Sequence, residues 1–167
     1  MHRSVDGRIV NDRVTNIVIA GLGGQGVLKA SGIVADAAFR AGFDVKQSEL
    51  HGMSQRGGSV SSDVRFGREV FSPMVPAGEA DFLVVVAADQ VEVNRHQLRP
   101  GGVLIVPDAV DATKLTNKKS FNVALLGVLS RHLDIAEAVW LDAIRAALPE
   151  KLHAANLQAF ALGRKGV

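Results

Sequence analysis

Two clusters of glycine and polar side chains hold the residues whose types and spacing could do chemistry. In the first, Gly21-Leu22-Gly23-Gly24-Gln25-Gly26, the residues Gly21, Gly23 and Gly26 fit a G-x-G-x-x-G spacing. The first glycine of such a turn permits a tight reversal, the second lets backbone approach a ligand, and the third lets a helix pack closely on a strand. A helix that starts there turns unpaired N–H groups toward whatever lies above the turn, which makes Gly23, Gly24, Gln25 and Gly26 candidates to hold a phosphate or carboxylate. The same spacing also suits a strand-to-helix turn that binds nothing. The second cluster, Leu50 to Ser59, has no apolar period but carries three glycines and a dense set of polar side chains. Within it His51, Met53, Gln55, Arg56, Gly57 and Gly58 are candidates for contact with a substrate or coenzyme. Arg56 is the catalytic candidate, because a guanidinium grips a carboxylate or phosphate through two parallel hydrogen bonds while the two following glycines let backbone approach. The structural alternative is an exposed arginine in a turn.

Several other chemistries have no residues to run them. The chain of 167 residues has no cysteine, so thiol nucleophiles, disulfides, Cys-type zinc sites and thiolate-held iron–sulfur clusters are excluded on this chain, and a cytoplasmic compartment is the expectation. His2, His96, His132 and His153 lack partners at helical spacing, so no metal site is expected. There is no G-x-S-x-G elbow and no G-x-x-x-x-G-K-[ST] loop. Nineteen basic and 17 acidic residues are interspersed to a net charge of +2, which gives no basic face for nucleic acid, and no apolar run reaches the roughly 20 residues of a membrane span.

The elements that must position the two clusters follow from apolar periodicity. Residues 1–15 mix Arg3, Arg8 and Arg13 with Asp6 and Asp12 and are expected to form a solvated arm, leaving 16–167 as a single domain. Ile17-Val18-Ile19-Ala20 reads as a strand, and Val27, Ala30, Val34, Ala37, Ala38 and Ala41 recur at helical intervals up to Gly42. Asp44 to Glu49 then reads as the second strand of a βαβ unit, with Glu49 lying 23 residues beyond Gly26, near the place of a ribose-binding acid in a dinucleotide fold. Ser59 to Phe66 alternates as a half-buried strand, followed by a hairpin turn at Gly67-Arg68. Phe82 to Ala87 is wholly apolar, as in a parallel strand covered on both faces. Asp89 is expected to cap a short helix to about Leu98, Pro100-Gly101-Gly102 to turn into a strand over Val103–Val106, and Asp108 to Ser120 to be loop. Three helices follow: one over Phe121–Leu133, one over Ala136–Leu148, and one over Lys151–Leu162 that Gly163 stops. Trp140 is expected to pack. The fold expected is α/β, a Rossmann-like three-layer domain with a mainly parallel sheet and C-terminal helices, with both glycine turns on one edge.

Gly21 to Leu28 and Ser48 to Val60, taken together, resemble the gamma-type subunit of 2-oxoacid:ferredoxin oxidoreductases. The His51-to-Gly58 form, followed by Val64-Arg65-Phe66-Gly67 and Ser72-Pro73, is most similar to the beta subunit of indolepyruvate:ferredoxin oxidoreductases. Agreement continues through Gly78-Glu79-Ala80-Asp81, Asn122 with Leu126-Gly127, and Asn156 with Ala159-Phe160 and Gly163. Asp108 to Ser120 looks shorter than its counterpart in the family, and Ala88-Asp89-Gln90 lacks the acidic pattern of the indolepyruvate branch. The resemblance implies oxidative decarboxylation of a 2-oxoacid with coenzyme A as cosubstrate and ferredoxin as eventual acceptor. Thiamine diphosphate, Mg and iron–sulfur clusters are then expected on a cofactor-bearing large partner subunit, since this chain has neither cysteine nor the G-D-G thiamine motif. The isolated chain is expected to be inactive. Two other readings stay open: a free-standing module binding NAD or FAD through Gly21, Gly23, Gly26 and Glu49, and an interaction domain whose glycine turns only shape a docking face.

Overall fold

The computed structural model of the chain describes residues 2–3, 9–10, 13–51 and 57–166. Two short strands, β1 (His2–Arg3) and β2 (Ile9–Val10), pair antiparallel with each other. The main sheet has five strands: β3 (Thr15–Leu22), β4 (Asp44–His51), β5 (Ser59–Gly67), β6 (Ala80–Val85) and β7 (Leu98–Ile105), in the order β4-β5-β3-β6-β7. β3, β6 and β7 pair parallel, while β5 pairs antiparallel with both β3 and β4. Four strands therefore run one way and β5 the other. The arm expected over 1–15 is shorter than anticipated, because Thr15 already opens β3 opposite Phe66.

Helix α1 (Val27–Arg40) connects β3 to β4 and buries Val27, Ala30, Ile33, Val34, Ala37 and Ala38 on the sheet, while Ala41 is left exposed beyond its end. β3 and β4 are parallel, as the expected βαβ unit requires, but they are not neighbours, since β5 lies between them. That insertion makes β5 an interior strand. Instead of one wet face it buries Ser62, Val64 and Phe66 toward α1 and Asp63 on the opposite face. The polar residues are all partnered: the Ser62 hydroxyl donates to Ser31 Oγ of α1 (2.8 Å), and Gln47 Nε2 also donates to Ser31 Oγ (2.6 Å).

Other local expectations change for identifiable reasons. No hairpin forms at Gly67-Arg68; residues 68–79 instead cross the far face of the sheet as a strap. The strap is held where Val70 N–H donates to Asp44 (2.8 Å), Val75 N–H donates to Asp63 (2.9 Å) and Arg65 donates to the Ser72 carbonyl (2.9 Å). Asp89 does not cap; the chain makes a 3₁₀ turn at Ala88–Gln90, the single-turn helix α2 (Val91–Asn94) and a second 3₁₀ turn at Arg95–Gln97. β7 starts at Leu98 rather than Val103 and carries Pro100 inside it, which an edge strand tolerates. The stretch expected as loop holds three 3₁₀ turns, at Pro107–Ala109, Ala112–Lys114 and Lys118–Ser120.

The C-terminal helices are α3 (Phe121–Ser130), α4 (Glu137–Ala147) and α5 (His153–Lys165). They pack with α1 over the face of β3, β5 and β6 that presents Ile17, Ile19, Val64 and Val84, and Trp140 is fully buried there beside Phe160, ring centroids 5.8 Å apart. The opposite face holds a smaller core of Val18, Val75, Ala80, Leu83 and Val85, covered by the strap and the α2 turn. Gly163 does not stop α5 but lies inside it, where α5 crosses α3. A Cβ on Gly163 would lie 1.9 Å from the Ala124 carbonyl oxygen, and one on Gly127 would lie 2.2 Å from that of Phe160.

Two predictions follow from this packing. Gly163→Ala must push the two helices apart, with an expected loss of about 1–3 kcal/mol and a Tm lower by about 2–4 °C for each kcal/mol; a Tm equal to that of the wild type in thermal melts would contradict the crossing. Burial pushes the Asp63 carboxyl above its ordinary value, against the downward pull of the Val75 N–H and the Arg65 charge. In the pH window just above the ordinary aspartate value the folded chain therefore holds more proton than the unfolded one, so the Asp63 contribution is least favourable at neutral pH and is relieved as pH falls. Asn can still accept from Val75 N–H. The stability of Asp63→Asn relative to wild type should thus decline between pH 7 and about 4, and a difference that is flat with pH in denaturant titrations would refute the assignment.

Candidate functional site

The site lies at the edge where β3, β4 and β6 end and β5 begins, the edge at which open α/β sheets place ligands. The two glycine-rich clusters meet there directly. Gly23 N–H donates to the Gly58 carbonyl (2.8 Å), and a Cβ on Gly23 would come 3.1 Å from the Gly57 nitrogen, so the two turns touch through backbone. Gln25 folds back on its own turn: its Oε1 accepts from Leu22 N–H (2.8 Å), while its backbone N–H donates to the Leu22 carbonyl (3.2 Å). It braces the turn rather than reaching outward with that oxygen.

Gly26 has φ of 76°, the left-handed region, and is the residue at which α1 begins. Its carbonyl accepts twice, from Ala30 N–H (2.9 Å) and from Asn122 Nδ2 (3.1 Å). Asn122, in the first turn of α3 and largely buried, fills the space that a side chain on Gly26 would need, with Nδ2 only 2.5 Å from the position of a Cβ. The starts of α1 and α3 are therefore clamped side by side.

Between them opens a cleft of about 590 Å³, lined by Gly24, Gln25, Gly26, Val86, Ala112, Lys118, Lys119, Phe121 and Asn122. The N-terminus of α1 and two lysines face one volume, an arrangement that favours negative charge; the leading N–H groups of the turn into α3 are taken by Asn117 and Lys118. At the entrance to the Ala112–Lys114 turn, Asp111 is held below its ordinary pKa by the Thr113 hydroxyl (2.6 Å) and the Thr113 N–H (3.0 Å), so it stays ionised. A second cleft of about 490 Å³ lies along Leu22, Gly23, Val27, Lys29 and Val60. Of the second cluster, Gly57 and Gly58 are brought against Gly23, whereas Met53, Gln55 and Arg56 lie outside the described residues, and His51 is described only as the last residue of β4.

Lys118, Lys119 and Asn122 are the residues of this edge that sequence reading missed. Their signal was two adjacent lysines just before an apolar helix, in a stretch without periodicity of its own. Glu49 ends in a place different from the one its spacing suggested. In a dinucleotide-binding unit the acid-bearing strand neighbours the glycine-turn strand, but here β5 separates β4 from β3. Among the described residues no group of three or more His, Cys, Asp or Glu side chains is placed to hold a metal, and no helix is long and apolar enough to cross a membrane.

Residues 16–166 match the pyruvate ferredoxin/flavodoxin oxidoreductase family. The chain belongs to that family. It is 36% identical to the IorB subunit of indolepyruvate oxidoreductase from Thermococcus kodakarensis, over 90% of this chain and 94% of the relative. That alignment runs over 192 residues, more than the 167 of this chain, so the relative has segments this chain lacks. Two solved structures share the fold. One is the gamma subunit of a keto/oxoacid ferredoxin oxidoreductase from Geobacter sulfurreducens, with TM-score 0.79 and 23% identity, covering 92% of this chain and 95% of that one. The other is the 2-oxoglutarate:ferredoxin oxidoreductase from Magnetococcus marinus, solved with 2-oxoglutarate, coenzyme A and succinyl-CoA; its TM-score is 0.80 at 22% identity, covering 93% of this chain and 31% of that one. As an oxidoreductase subunit of this family, the chain has at its glycine edge a rigid corner, two turns joined by backbone and a polar clamp beneath them.

The clamp generates a coupling prediction. Gly26→Ala should lose about 1–2 kcal/mol to its left-handed backbone alone, with a further penalty from collision with Asn122; Asn122→Ala should lose about 0.5–1.5 kcal/mol with its hydrogen bond. The double variant should be less destabilised than the sum of the two, because removing Asn122 makes room for the new methyl. Strict additivity in urea titrations would mean that Asn122 does not occupy the Gly26 space.

Proposed function

We propose that this chain is the subunit that closes over the active site of a cofactor-bearing partner, in an enzyme converting a 2-oxoacid anion such as indolepyruvate and coenzyme A, with two oxidised ferredoxins, into acyl-CoA, carbon dioxide, a proton and two reduced ferredoxins. The observation that carries this reading is the Gly23 N–H to Gly58 carbonyl hydrogen bond, which joins the two family-bearing turns into one edge beside the lysine-lined cleft. Thiamine diphosphate, Mg and iron–sulfur clusters belong to the partner in this scheme, for the chain has no cysteine to ligate a cluster and no clustered metal ligands among its described residues.

The part this chain plays is electrostatic and steric. Lys118 and Lys119, with the first N–H groups of α1, offer a cradle for the phosphates of coenzyme A, and Gly24 to Gly26 let that group come close to backbone. His51, at the end of β4, and Met53, Gln55 and Arg56, which precede Gly57 and Gly58 in sequence, are the residues assigned to contact with the reacting end, Arg56 gripping a carboxylate or phosphate. The indolepyruvate assignment is supported by the 36% identity to an indolepyruvate oxidoreductase subunit over nearly the whole chain. A free-standing NAD or FAD module is disfavoured by β5, which displaces Glu49 one strand away from the glycine turn.

The purified chain, given arylpyruvate, coenzyme A, thiamine diphosphate and a dye acceptor, is expected to show no turnover until a cofactor-bearing partner is added. In the assembled complex, Lys118→Gln with Lys119→Gln should raise KM for coenzyme A by about 10- to 100-fold, the worth of one lost charge-assisted contact. Arg56→Lys should lower kcat/KM by a similar factor with assembly and Tm preserved, since lysine keeps the charge but loses the fork. Turnover by the chain alone would refute the subunit role; normal kinetics in both variants would refute the assignment of these side chains.

A further inference from the structure

A second cavity, of about 330 Å³, opens at the opposite edge of the sheet, where β3 and β6 begin and β5 ends. Its walls are of two kinds. Phe66 and Ile135 are buried, Phe43, Phe82 and Leu133 are half-buried, and two aromatic pairs flank the space: Phe43 with Phe66 at 5.2 Å between centroids, and Phe82 with His132 at 5.8 Å. Around this apolar body stand Arg13, Asp81, Arg99 and Asp134, of which Arg13 and Arg99 both bond to Asp81.

Arg99 is delivered there by an irregularity in β7. Ala80 pairs with Leu98 and Phe82 pairs with Val103, so one residue of β6, Asp81, faces the four residues Arg99 to Gly102. Gly101 adopts φ of 76°, and Gly102 is so closely packed that a Cβ would meet Leu98 at 2.6 Å. A bulge of this kind re-aims a side chain, and here it turns Arg99 onto Asp81, where Nε donates to Oδ1 (2.6 Å). Asp81, only 6% exposed, also accepts from Arg13 and from Asn16 N–H (2.8 Å), so the guanidinium of Arg99 is held in one orientation. Arg99 Nη1 donates to the Pro100 carbonyl (3.1 Å), and among the described residues nothing takes Nη2. Asp134, on the same lining, is exposed, with no ion pair or hydrogen bond among the described residues.

We propose that this cavity binds a free aromatic α-amino acid as its zwitterion, the ring between the two aromatic pairs, the carboxylate on Arg99 and the ammonium on Asp134. A simple aryl carboxylate would answer Arg99 but bring like charge beside Asp134; an aryl amine would answer Asp134 but leave Arg99 facing a hydrocarbon. A ligand carrying both charges on one carbon, next to a ring, answers Arg99, Asp134 and the aromatic walls together, while Arg13 and Asp81 are already paired with each other, and the volume lies near the lower end of the range for small-molecule sites. The site is on the edge away from the glycine turns, so the inference does not rest on the function proposed above.

The test is calorimetric titration of the full chain, with amide shift mapping by NMR, using L-phenylalanine, 3-phenylpropionate, phenethylamine and L-alanine as probes. L-phenylalanine should bind saturably with shifts at Thr15, Gly67 and Leu133; 3-phenylpropionate and phenethylamine, each lacking one charge, should bind up to about fivefold more weakly, the worth of an exposed charge pair, and L-alanine, lacking the ring, should lose the apolar contact and bind more weakly still. Asp134→Asn, at an exposed position, should weaken L-phenylalanine and strengthen 3-phenylpropionate, bringing the two to similar affinity. Arg99→Lys, which keeps a cation for Asp81, should weaken both carboxylate-bearing probes. Absence of saturable L-phenylalanine binding at millimolar concentrations, shifts that map to Gly21–Gly26, or an Asp134→Asn variant indistinguishable from wild type would each overturn the proposal.

Discussion

The antiparallel course of β5 is the constraint on which the rest of this structure depends. Because β4 leaves the sheet at the edge where β3 ends, a strand that returned parallel would have to start from the far edge. β5 instead turns back at once and enters between β3 and β4. Its first residues are thereby laid against the end of β3, with Ser59 opposite Leu22 in the ladder and Gly58 reaching Gly23. The meeting of two glycine-rich turns is thus set by ladder hydrogen bonds along the length of a strand, and the corner they form has little freedom to open. The same insertion places Ser62 and Asp63 in the interior, which is why α1 must carry Ser31 on its buried face and why the strap must bring a backbone N–H to Asp63.

A good part of this was legible in the residues. The β-branched run at Ile17 to Ala20, the small-residue stripe of α1 and the unbroken apolar strand at Phe82 mark their elements because periodicity and burial act locally there. The convergence of the two glycine turns on one edge was also readable, as was the burial of Trp140. What was not legible depended on distant partners. No local pattern distinguishes a strand that pairs next to its predecessor from one inserted two places away, so the position of β4 was misread as an ordinary βαβ neighbour. Gly163 looked like a helix stop because glycine commonly ends helices, whereas its role is set by Ala124, far away in sequence. Lys118 and Lys119 gained meaning only when α3 was seen to start beside α1, clamped by Asn122 and Gly26.

The two faces of the sheet are covered very differently. On one face four helices interlock, and the α3–α5 crossing lets backbones approach so closely that carbonyl oxygens occupy the places of two side chains. Close approach of this sort is intolerant of volume change, which explains why small residues, rather than large apolar ones, mark the contact. On the other face a segment without regular structure lies over Val18, Leu83 and Val85. Its hold comes from side chains of the strands below, Asp44, Asp63 and Arg65, each taking or giving a hydrogen bond to the strap's backbone.

That mode of attachment has a dynamic consequence. A segment fixed by a few side-chain bonds, with Phe71 and Met74 turned outward, gains little buried surface for its length. A segment held in this way is expected to open locally, ahead of the ladders and the helical layer, at a free energy below that of global unfolding. The protection of its amides against solvent exchange is correspondingly concentrated at Val70 and Val75, the two that donate to buried or half-buried carboxylates, and separates the strap in time from the slow-exchanging strands it lies upon.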